Sequence, residues 1–273
     1  MSSDQPGPLI GAGRAADVYA LGENALGEQR VLRRYRNGGG AEREAGVMAH
    51  LAGAGYPVPR VYDASGPDLV MERLDGRDML ADLSSRPWLV RQYARTLAKL
   101  HDRLHAIVAP PSLAQQFGPG DRILHLDLHP GNVLLVHGRD RHGQDCPTVK
   151  LSDFGISSEL RGMPSIRPNL VHHAVMAPEI IATGYTSKQS DIYQVGLLLF
   201  WMLTGESAVP GGVPYPQLMQ SVAEGLPRQR AEAIGTPLGS LIAKMLRRRE
   251  QFRYATAREV WGDLRALPSW KNE

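Results

Sequence analysis

Residues 125–132 read His-Leu-Asp-Leu-His-Pro-Gly-Asn, and residues 153–155 read Asp-Phe-Gly. Together the two stretches place Asp127, Asn132 and Asp153 in a fixed order along the chain. A carboxylate can accept or orient the proton of a hydroxyl group, and amide and carboxylate oxygens are ligands that magnesium takes. Two separate motifs in this order, H-x-D-L-x-x-x-N and then D-F-G, predict machinery for phosphoryl transfer from a nucleotide.

The bulk composition is that of a globular protein. The chain has 273 residues, 42% hydrophobic and 22% charged, which fits one two-lobed domain or two small domains. A single cysteine, Cys146, excludes an internal disulfide and predicts a cytoplasmic location. The first residues lack a secretory signal, and the most apolar stretch, residues 195–203, is too short to cross a bilayer, so we expect no membrane association.

The charge pattern gives no support to nucleic acid as a partner. The net charge of +3 is mild: it suits an anionic nucleotide but does not indicate nucleic acid, and we expect none. The arginine run at residues 247–249 is expected to be a solvated face. No pattern in the sequence assigns an oligomeric state.

Periodicity and turn residues predict a β-rich first part and a helical second part. The predicted strands are residues 9–13, 17–21, 30–35, 61–62, 68–72, 133–136 and 148–151, and the predicted helices are residues 41–52, 88–108, 191–203, 215–224, 238–248 and 257–267.

The turn of the first predicted hairpin carries a glycine-rich stretch, residues 11–18, which reads GAGRAADV. Glycines at Gly11 and Gly13, on either side of Ala12, let backbone N–H groups approach phosphates closely. Ala16 stands where a third glycine is usual. Because a strand follows the loop, and not a helix, a lid over ATP is favoured over a dinucleotide-binding fingerprint.

From about Leu9 to Leu267 the chain resembles the protein kinase superfamily. The resemblance rests on the motifs above and on residues 70–76 (VMERLDG), 176–179 (MAPE) and 190–196 (SDIYQVG), with Arg253 where the family has a late arginine paired to the glutamate of A-P-E, here Glu179. It implies an α+β, two-lobed fold in a single kinase domain over 1–273. The implied N-lobe is 9–72, the hinge 72–76 and the C-lobe 77–267.

The resemblance also implies roles for single residues. Asp127 would accept or orient the proton of the substrate hydroxyl, and Asn132 and Asp153 would hold Mg²⁺, or Mn²⁺, against the phosphates of ATP. Glu44, in the first helix, would pair with a basic residue of the third strand. The implied adenine-binding residues are Val18, Val31, Met71, Glu72 and Leu74.

The basic residue of the third strand departs from the family pattern. The family has a lysine there, whereas the first lysine of this chain is Lys99. Alternation along residues 30–34 favours Arg33, because Val31 then shares its face and Leu32 points the other way. Arginine is a planar fork and not a compact ammonium. Arg33 either binds the phosphates in an active enzyme, as in many relatives of the aminoglycoside phosphotransferase branch, or indicates an enzyme with impaired activity. The presence of Asp127, Asn132 and Asp153 favours an active enzyme.

The sequence leaves two main alternatives for the molecule that accepts the phosphate. His129 and the small-lobe stretches resemble small-molecule kinases of the aminoglycoside and choline type. Residues 153–196 resemble protein kinases, and they favour a protein substrate with a Ser or Thr hydroxyl. A third alternative is a nucleotide-binding pseudokinase scaffold.

Two further groups of residues carry weaker signals. Leu126 replaces the arginine that normally receives a phosphate of the activation loop, so we expect that phosphorylation of Ser157, Ser158 or Ser165 is not needed. The pairs His172–His173 and His101–His105 could bind a metal ion, but packing roles are favoured for both pairs.

Overall fold

The computed structural model describes residues 5–13, 15–76, 79–108, 122–136, 148–155, 158–159, 165–166 and 173–267. The chain divides into two compact units, the first formed by Met1–Arg77 with Val133–Gly155 and the second by Asp78–Asn132 with Ile156–Glu273. The first unit holds an antiparallel sheet and the second is mainly helical, which confirms the α+β fold. The expected lobe boundaries stay a prediction.

The first unit is built on a five-stranded antiparallel sheet with the order β1-β2-β3-β5-β4. One helix, α1 (Ala41–Gly53), packs on it through apolar residues at three- and four-residue spacing, Val47, Met48 and Leu51 among them. A second hairpin, β7 with β8, completes the unit. The strands are β1 (Leu9–Ala12), β2 (Ala16–Glu23), β3 (Gln29–Tyr35), β4 (Val61–Ser65), β5 (Asp68–Glu72), β7 (Val133–Val136) and β8 (Thr148–Leu151).

The start of α1 depends on a glycine. Gly40 has φ 109°, a left-handed conformation that side chains disfavour, and a Cβ there would lie 3.4 Å from the ring of Tyr35. The turn brings α1 back over β3, so that Glu44 on the helix faces Arg33 on the strand.

The second unit is assembled around the helix α5 (Lys188–Thr204). Its residues are apolar on nearly all sides and buried, as expected of a helix enclosed by others. A capping box between Ser187 and Ser190 begins it, and Gly205 at φ 76° ends it. The surrounding helices are α2 (Met79–Ser85), α3 (Val90–Ala106), α4 (Pro178–Thr183), α6 (Tyr215–Glu224), α7 (Leu226–Glu232), α8 (Pro237–Met245) and α9 (Ala257–Ala266).

Short strands complete the second unit. β6 (Ile123–Leu124) pairs with β9 (Ser158–Glu159), and β10 (Ser165–Ile166) pairs with β11 (Thr186–Ser187). No helix in the described ranges is long and apolar enough to cross a membrane.

The helix predicted at 238–248 ends earlier than expected, at Met245. The side chain of Arg253 explains the difference, because it donates hydrogen bonds to the carbonyls of Arg247 and Arg248, at 2.7 and 3.2 Å. Local helix propensity at these positions is overridden by a buried side chain six residues further on.

Candidate active site

One face of the sheet in the first unit gathers several of the predicted nucleotide-binding residues. Val18 stands opposite Arg33 in the register of β2 and β3, and Val31 stands opposite Met71 in the register of β3 and β5. Because opposite residues of antiparallel strands share a face, Val18, Val31, Arg33 and Met71 lie on the same side of the sheet. This face combines apolar surface with one cation.

The glycine-rich turn is tight. Gly13 donates its N–H to the carbonyl of Ala16 at 2.9 Å, and a Cβ on Gly13 would lie 3.0 Å from that oxygen. Gly11 pairs with Val18 and Ala12 with Asp17, while Ala12 and Gly13 are exposed. The turn therefore exposes backbone between two strands, the arrangement expected of a loop that approaches phosphates.

Arg33 lies between two carboxylates of the first unit. Its guanidinium donates to Asp153 Oδ1 at 2.7 Å and lies 3.5 Å from Glu44 Oε1. Arg33 is buried, and although burial alone lowers its pKa, the charges of Glu44 and Asp153 raise that pKa above its ordinary value. Nε of Arg33 has no hydrogen-bond partner among the described atoms. The residue is thus a permanent cation, and its Nε is buried.

Glu44 is held from three directions. Its Oε1 accepts from the backbone N–H of Phe154 at 3.1 Å, and its Oε2 accepts from the hydroxyl of Tyr35. Glu44 is 1% exposed, and burial raises its pKa, an effect that the charge of Arg33 opposes. Burial and the neighbouring Glu44 also raise the pKa of Tyr35. Sequence reasoning missed Tyr35, although its place two residues after Arg33 puts both on one face of β3.

The Asp-Phe-Gly segment is fixed by its neighbours in the first unit. Asp153 has φ 63°, a conformation that non-glycine residues rarely adopt, and its Oδ1 accepts from the N–H of Gly155 at 3.3 Å. Phe154 is fully buried. A Cβ on Gly155 would lie 3.0 Å from the hydroxyl oxygen of Tyr35, so only glycine fits without a shift.

Glu72 forms an ion pair that the sequence did not indicate. Both of its oxygens lie 2.7 Å from Nζ of Lys150 on β8, and Oε2 accepts from the N–H of Arg60 at 2.9 Å. The side chain of Glu72 is thus engaged within the first unit, and Leu74 beyond it is half-buried. No local spacing predicts a pair separated by 78 residues.

In the second unit, helix α5 holds the loop that carries Asp127. The carboxylate of Asp191 accepts from the N–H groups of His125 and Leu126, both at 3.0 Å, and lies 2.8 Å from Nε2 of His105. Asp191 is fully buried; burial raises its pKa, but these hydrogen bonds outweigh burial and lower the pKa below its ordinary value.

Gln194, one turn further along α5, forms a second set of hydrogen bonds with this loop. Its Oε1 accepts from the N–H of Leu128 at 3.0 Å, and its Nε2 donates to the carbonyl of Leu126 at 2.8 Å. Leu126 has φ 65°, a left-handed conformation that costs about 1–2 kcal/mol for a non-glycine residue. Hydrogen bonds to the residues on both sides of Asp127 hold the backbone in place there.

Asn132 lies in the same loop and is oriented by it. Its Nδ2 donates to the carbonyl of Asp127 at 2.8 Å, and the residue is 5% exposed. With the nitrogen engaged, the amide oxygen is the group that can bind a cation. An amide oxygen is a hard donor, as is the carboxylate of Asp153 in the first unit, and hard oxygen donors are the ligands that magnesium prefers. Within the described residues no group of three or more His, Cys, Asp or Glu side chains could hold a metal ion by itself.

His101 and His105 are hydrogen-bonded residues of α3. Nδ1 of His101 donates to the carbonyl of Leu97 at 2.9 Å, and His105 pairs with Asp191. Burial lowers the pKa of His101 to about 4, so that it is neutral near pH 7. Ser157 and His172 lie outside the described residues, as do the side chains of Ser158 and His173.

A pocket of about 650 Å³ adjoins the loop of Asp127 in the second unit. The loop contributes Leu128 and His129, and Trp201 of α5, 36% exposed, forms part of the opposite lining. Among the described residues, no carboxylate or lysine lines it. The other lining residues are Ala81, Pro130, Gly131, Ala174, Val175, Leu197, Leu198, Ser207 and Val209.

The predicted site residues therefore form two sets. Arg33, Glu44 and Asp153 meet within the first unit, together with the strand face described above. Asp127 and Asn132 meet within the second unit. The catalytic and binding roles expected of both sets stay predictions.

Comparison with protein families gives two matches. The family described as "Protein kinase domain" matches residues 69–262, and the family described as "Phosphotransferase enzyme family" matches residues 7–122. The second match covers the sheet of the first unit, where the sequence departs from the protein kinase pattern at Arg33.

Similar curated proteins are named as serine/threonine-protein kinases. PknB of Mycobacterium leprae is 28% identical over 65% of this chain and 30% of its own length. PrkC of Bacillus subtilis is 25% identical over 94% of this chain and 39% of its own length. PknL of Mycobacterium tuberculosis is 27% identical over 93% of this chain and 59% of its own length. The chain thus spans about a third to three fifths of the length of these relatives.

Proposed function

The chain belongs to the protein kinase domain family, and from that premise we propose that it is a Ser/Thr protein kinase, transferring the γ-phosphate of ATP to a protein hydroxyl. The observation that carries the proposal is that Asp191 and Gln194 both form hydrogen bonds with the backbone of the loop that carries Asp127. A catalytic carboxylate contributes most when its position is fixed before the substrate arrives. The names of the relatives, PknB and PrkC, support the same activity.

In this proposal Asp127 accepts or orients the proton of the attacking hydroxyl. The left-handed Leu126 and the hydrogen bond from Asn132 to the carbonyl of Asp127 fix the backbone from which its side chain projects. Phosphoryl transfer needs little covalent help from the protein, so orientation and charge supply most of the rate enhancement.

ATP would bind to the residues of the first unit. The face formed by Val18, Val31 and Met71 supplies apolar surface for adenine, and Gly11, Ala12 and Gly13 offer backbone N–H groups to the phosphates. Arg33 would bind phosphate oxygens through the terminal N–H groups of its guanidinium, beside those that contact Asp153 and Glu44. Magnesium, or manganese, would be held by Asp153 and Asn132, and would neutralise charge on the transferring phosphate. The proposed use of ATP and the presence of a single cysteine both support the cytoplasm as the location of the protein.

The pocket beside the loop of Asp127 favours a peptide over an aminoglycoside as acceptor. An aminoglycoside carries several ammonium groups and would need carboxylates, whereas the lining is dominated by apolar residues such as Val175, Leu197 and Trp201. An apolar side chain next to the phosphorylated Ser or Thr would bury its surface there. The match to the phosphotransferase family over residues 7–122 supports the small-molecule alternative.

The test is transfer of label from γ-labelled ATP to a mixture of generic proteins, with magnesium and with manganese. We expect transfer, reduced at least about 100-fold in Asp127→Asn because the loss of an oriented base or charge costs two or more orders of magnitude. Asp102→Asn, on the surface of α3, is the matched control and is expected to retain activity. No transfer to any protein, or equal rates in the two variants, would overturn the proposal.

The same preparation separates the alternatives. Transfer only to an amino alcohol or a sugar would establish a small-molecule kinase. A rise in melting temperature with ATP and magnesium, without turnover on any acceptor, would establish a nucleotide-binding scaffold.

A further inference from the structure

A second pocket in the helical unit is lined by an excess of arginines. It has a volume of about 690 Å³, within the range of ligand pockets, and lies between α4 and the segment 247–252 that follows α8. The described residues that line it include Arg228, Arg247, Arg248 and Arg249, and the acidic ones among them are Glu179 and Glu250.

Both glutamates already have partners. Glu179 accepts from Arg253 at 2.6 and 2.8 Å and from the hydroxyl of Ser190 at 2.7 Å, while Glu250 accepts from the hydroxyl of Ser187 at 3.0 Å. Within the described part of the chain, neither glutamate forms an ion pair with an arginine that lines the pocket.

The arginines differ in what they bind. Arg228 pairs with Glu232 at 2.7 Å, and Arg247 donates to the carbonyl of Phe252 at 3.1 Å. Arg248 and Arg249 are exposed and make no ion pair within the described part of the chain. Their positive charge is uncompensated at the rim of the pocket.

The wall that carries these two arginines is fixed. Arg253, 5% exposed, donates to the carbonyls of Arg247 and Arg248 and holds Glu179 at the opposite wall. Fixing the backbone lowers the entropy lost when a ligand binds, which distinguishes this pocket from an arginine run on a free surface. Sequence alone favoured a solvated face for this run, because nothing local shows the pocket.

We propose that this pocket is a docking site for an acidic peptide segment of a partner protein, one that alternates carboxylates with an apolar side chain. Guanidinium groups pair with carboxylates in a bidentate geometry. Phe252, 51% exposed, and Ile181 and Ala182 of α4 offer apolar surface beside the charges. Nucleic acid fits less well, since it needs a longer basic tract and little apolar surface. The proposal stands independently of the proposed kinase activity.

The test is fluorescence anisotropy with a labelled peptide, Glu-Glu-Leu-Glu-Glu-Leu-Glu, and the whole chain at low salt. We expect binding that weakens as salt is raised, and a dissociation constant about 10-fold higher in R248Q/R249Q, equivalent to about 1.4 kcal/mol. The control R258Q/R265Q removes two exposed arginines of α9. It should change the dissociation constant less than about 2-fold, because exposed charges outside the contact with the peptide contribute little to binding. Gln keeps the stems of the side chains, so both variants should fold.

Four further probes decide the class of occupant. A peptide with Gln in place of every Glu, and one with Ser in place of both Leu, should each bind more weakly. Inorganic phosphate should compete only at millimolar concentration. No binding of the acidic peptide, equal binding in the two double variants, or tighter binding of a single-stranded oligonucleotide that R248Q/R249Q abolishes would each overturn the proposal.

Discussion

Arg33 donates a 2.7 Å hydrogen bond to Asp153, the carboxylate that is expected to hold magnesium. The same guanidinium lies 3.5 Å from Glu44, so it is closer to the proposed metal ligand than to its expected partner on α1. A lysine ammonium is a compact charge, whereas the fork of an arginine can contact two carboxylates at once. The geometry of the first unit thus depends on arginine at this position.

We expect Arg33→Met to abolish most activity and to destabilise the chain. It would leave Glu44 buried without its cation, at a cost of about 3–5 kcal/mol. Arg33→Lys keeps the charge but not the fork, and we expect kcat/KM for ATP to fall about 10-fold, one pairing contact being worth ~1.4 kcal/mol. Steady-state kinetics and urea unfolding measure both effects. Arg34→Met, which removes an exposed arginine of the same strand, is the control, and equal losses in both variants would contradict this prediction.

Tyr35→Phe should lower the free energy of unfolding by about 1–3 kcal/mol, because Oε2 of the buried Glu44 would lose its donor. Tyr62→Phe removes a hydroxyl that donates to the half-buried Glu28 at 3.1 Å, and there water can replace the donor, so the loss should be below about 0.5 kcal/mol. Urea unfolding of the two variants gives the comparison. Equal stabilities would show that the bond to Glu44 carries no more free energy than a surface contact.

The stability of the chain should fall on acidification in a window set by His101. Burial lowers the pKa of His101 to about 4, below the value near 6.5 of an unfolded chain. Between these values the unfolded state takes up a proton that the folded state does not, so stability is complete above pH ~6.5 and decreases as the pH falls. Between pH 7 and pH 5 the loss should be about 2 kcal/mol, and His101→Gln should remove that part. Unfolding curves at both values measure it, and an unchanged pH dependence in His101→Gln would refute the assignment.

Trp201→Ala should raise KM for a protein substrate about 10-fold while KM for ATP stays constant. The indole forms part of the apolar pocket beside Asp127, and removing it lowers the apolar area that a substrate side chain can bury. Trp88→Ala removes another exposed tryptophan, 67% exposed, outside that pocket and should change neither constant. A rise in KM for ATP in Trp201→Ala would mean that the pocket is not on the acceptor side.

Sequence and structure agree where the signal is local. The α+β fold, the strands 133–136 and 148–151 and the helix 215–224 follow from periodicity and turn residues. The pairing of Arg33 with Glu44 follows from alternation along β3 and the resemblance to kinases. The roles of the site residues themselves stay predictions.

Among the contacts that join distant segments, sequence reasoning found the pair of Glu179 with Arg253, which the resemblance implies and the structure confirms, and missed others. The contacts that it missed form only when the chain folds back on itself. They are Lys150 with Glu72, Gln194 with the loop of Asp127, and Arg253 with the carbonyls after α8. Such side chains carry no spacing signal, because their partners are far away in sequence or are backbone atoms. Tyr35 is the exception, since it shares a strand face with Arg33.

Asp191 and Gln194 tie the loop of Asp127 to a helix that is buried on nearly every side. Loops usually open locally, and their amide hydrogens exchange with solvent long before the core unfolds. The amides of His125, Leu126 and Leu128 are hydrogen-bonded to side chains of α5. They can exchange only when these hydrogen bonds break. In deuterated water they should therefore exchange as slowly as the interior amides of α5, which would make this loop one of the last parts of the second unit to lose its structure.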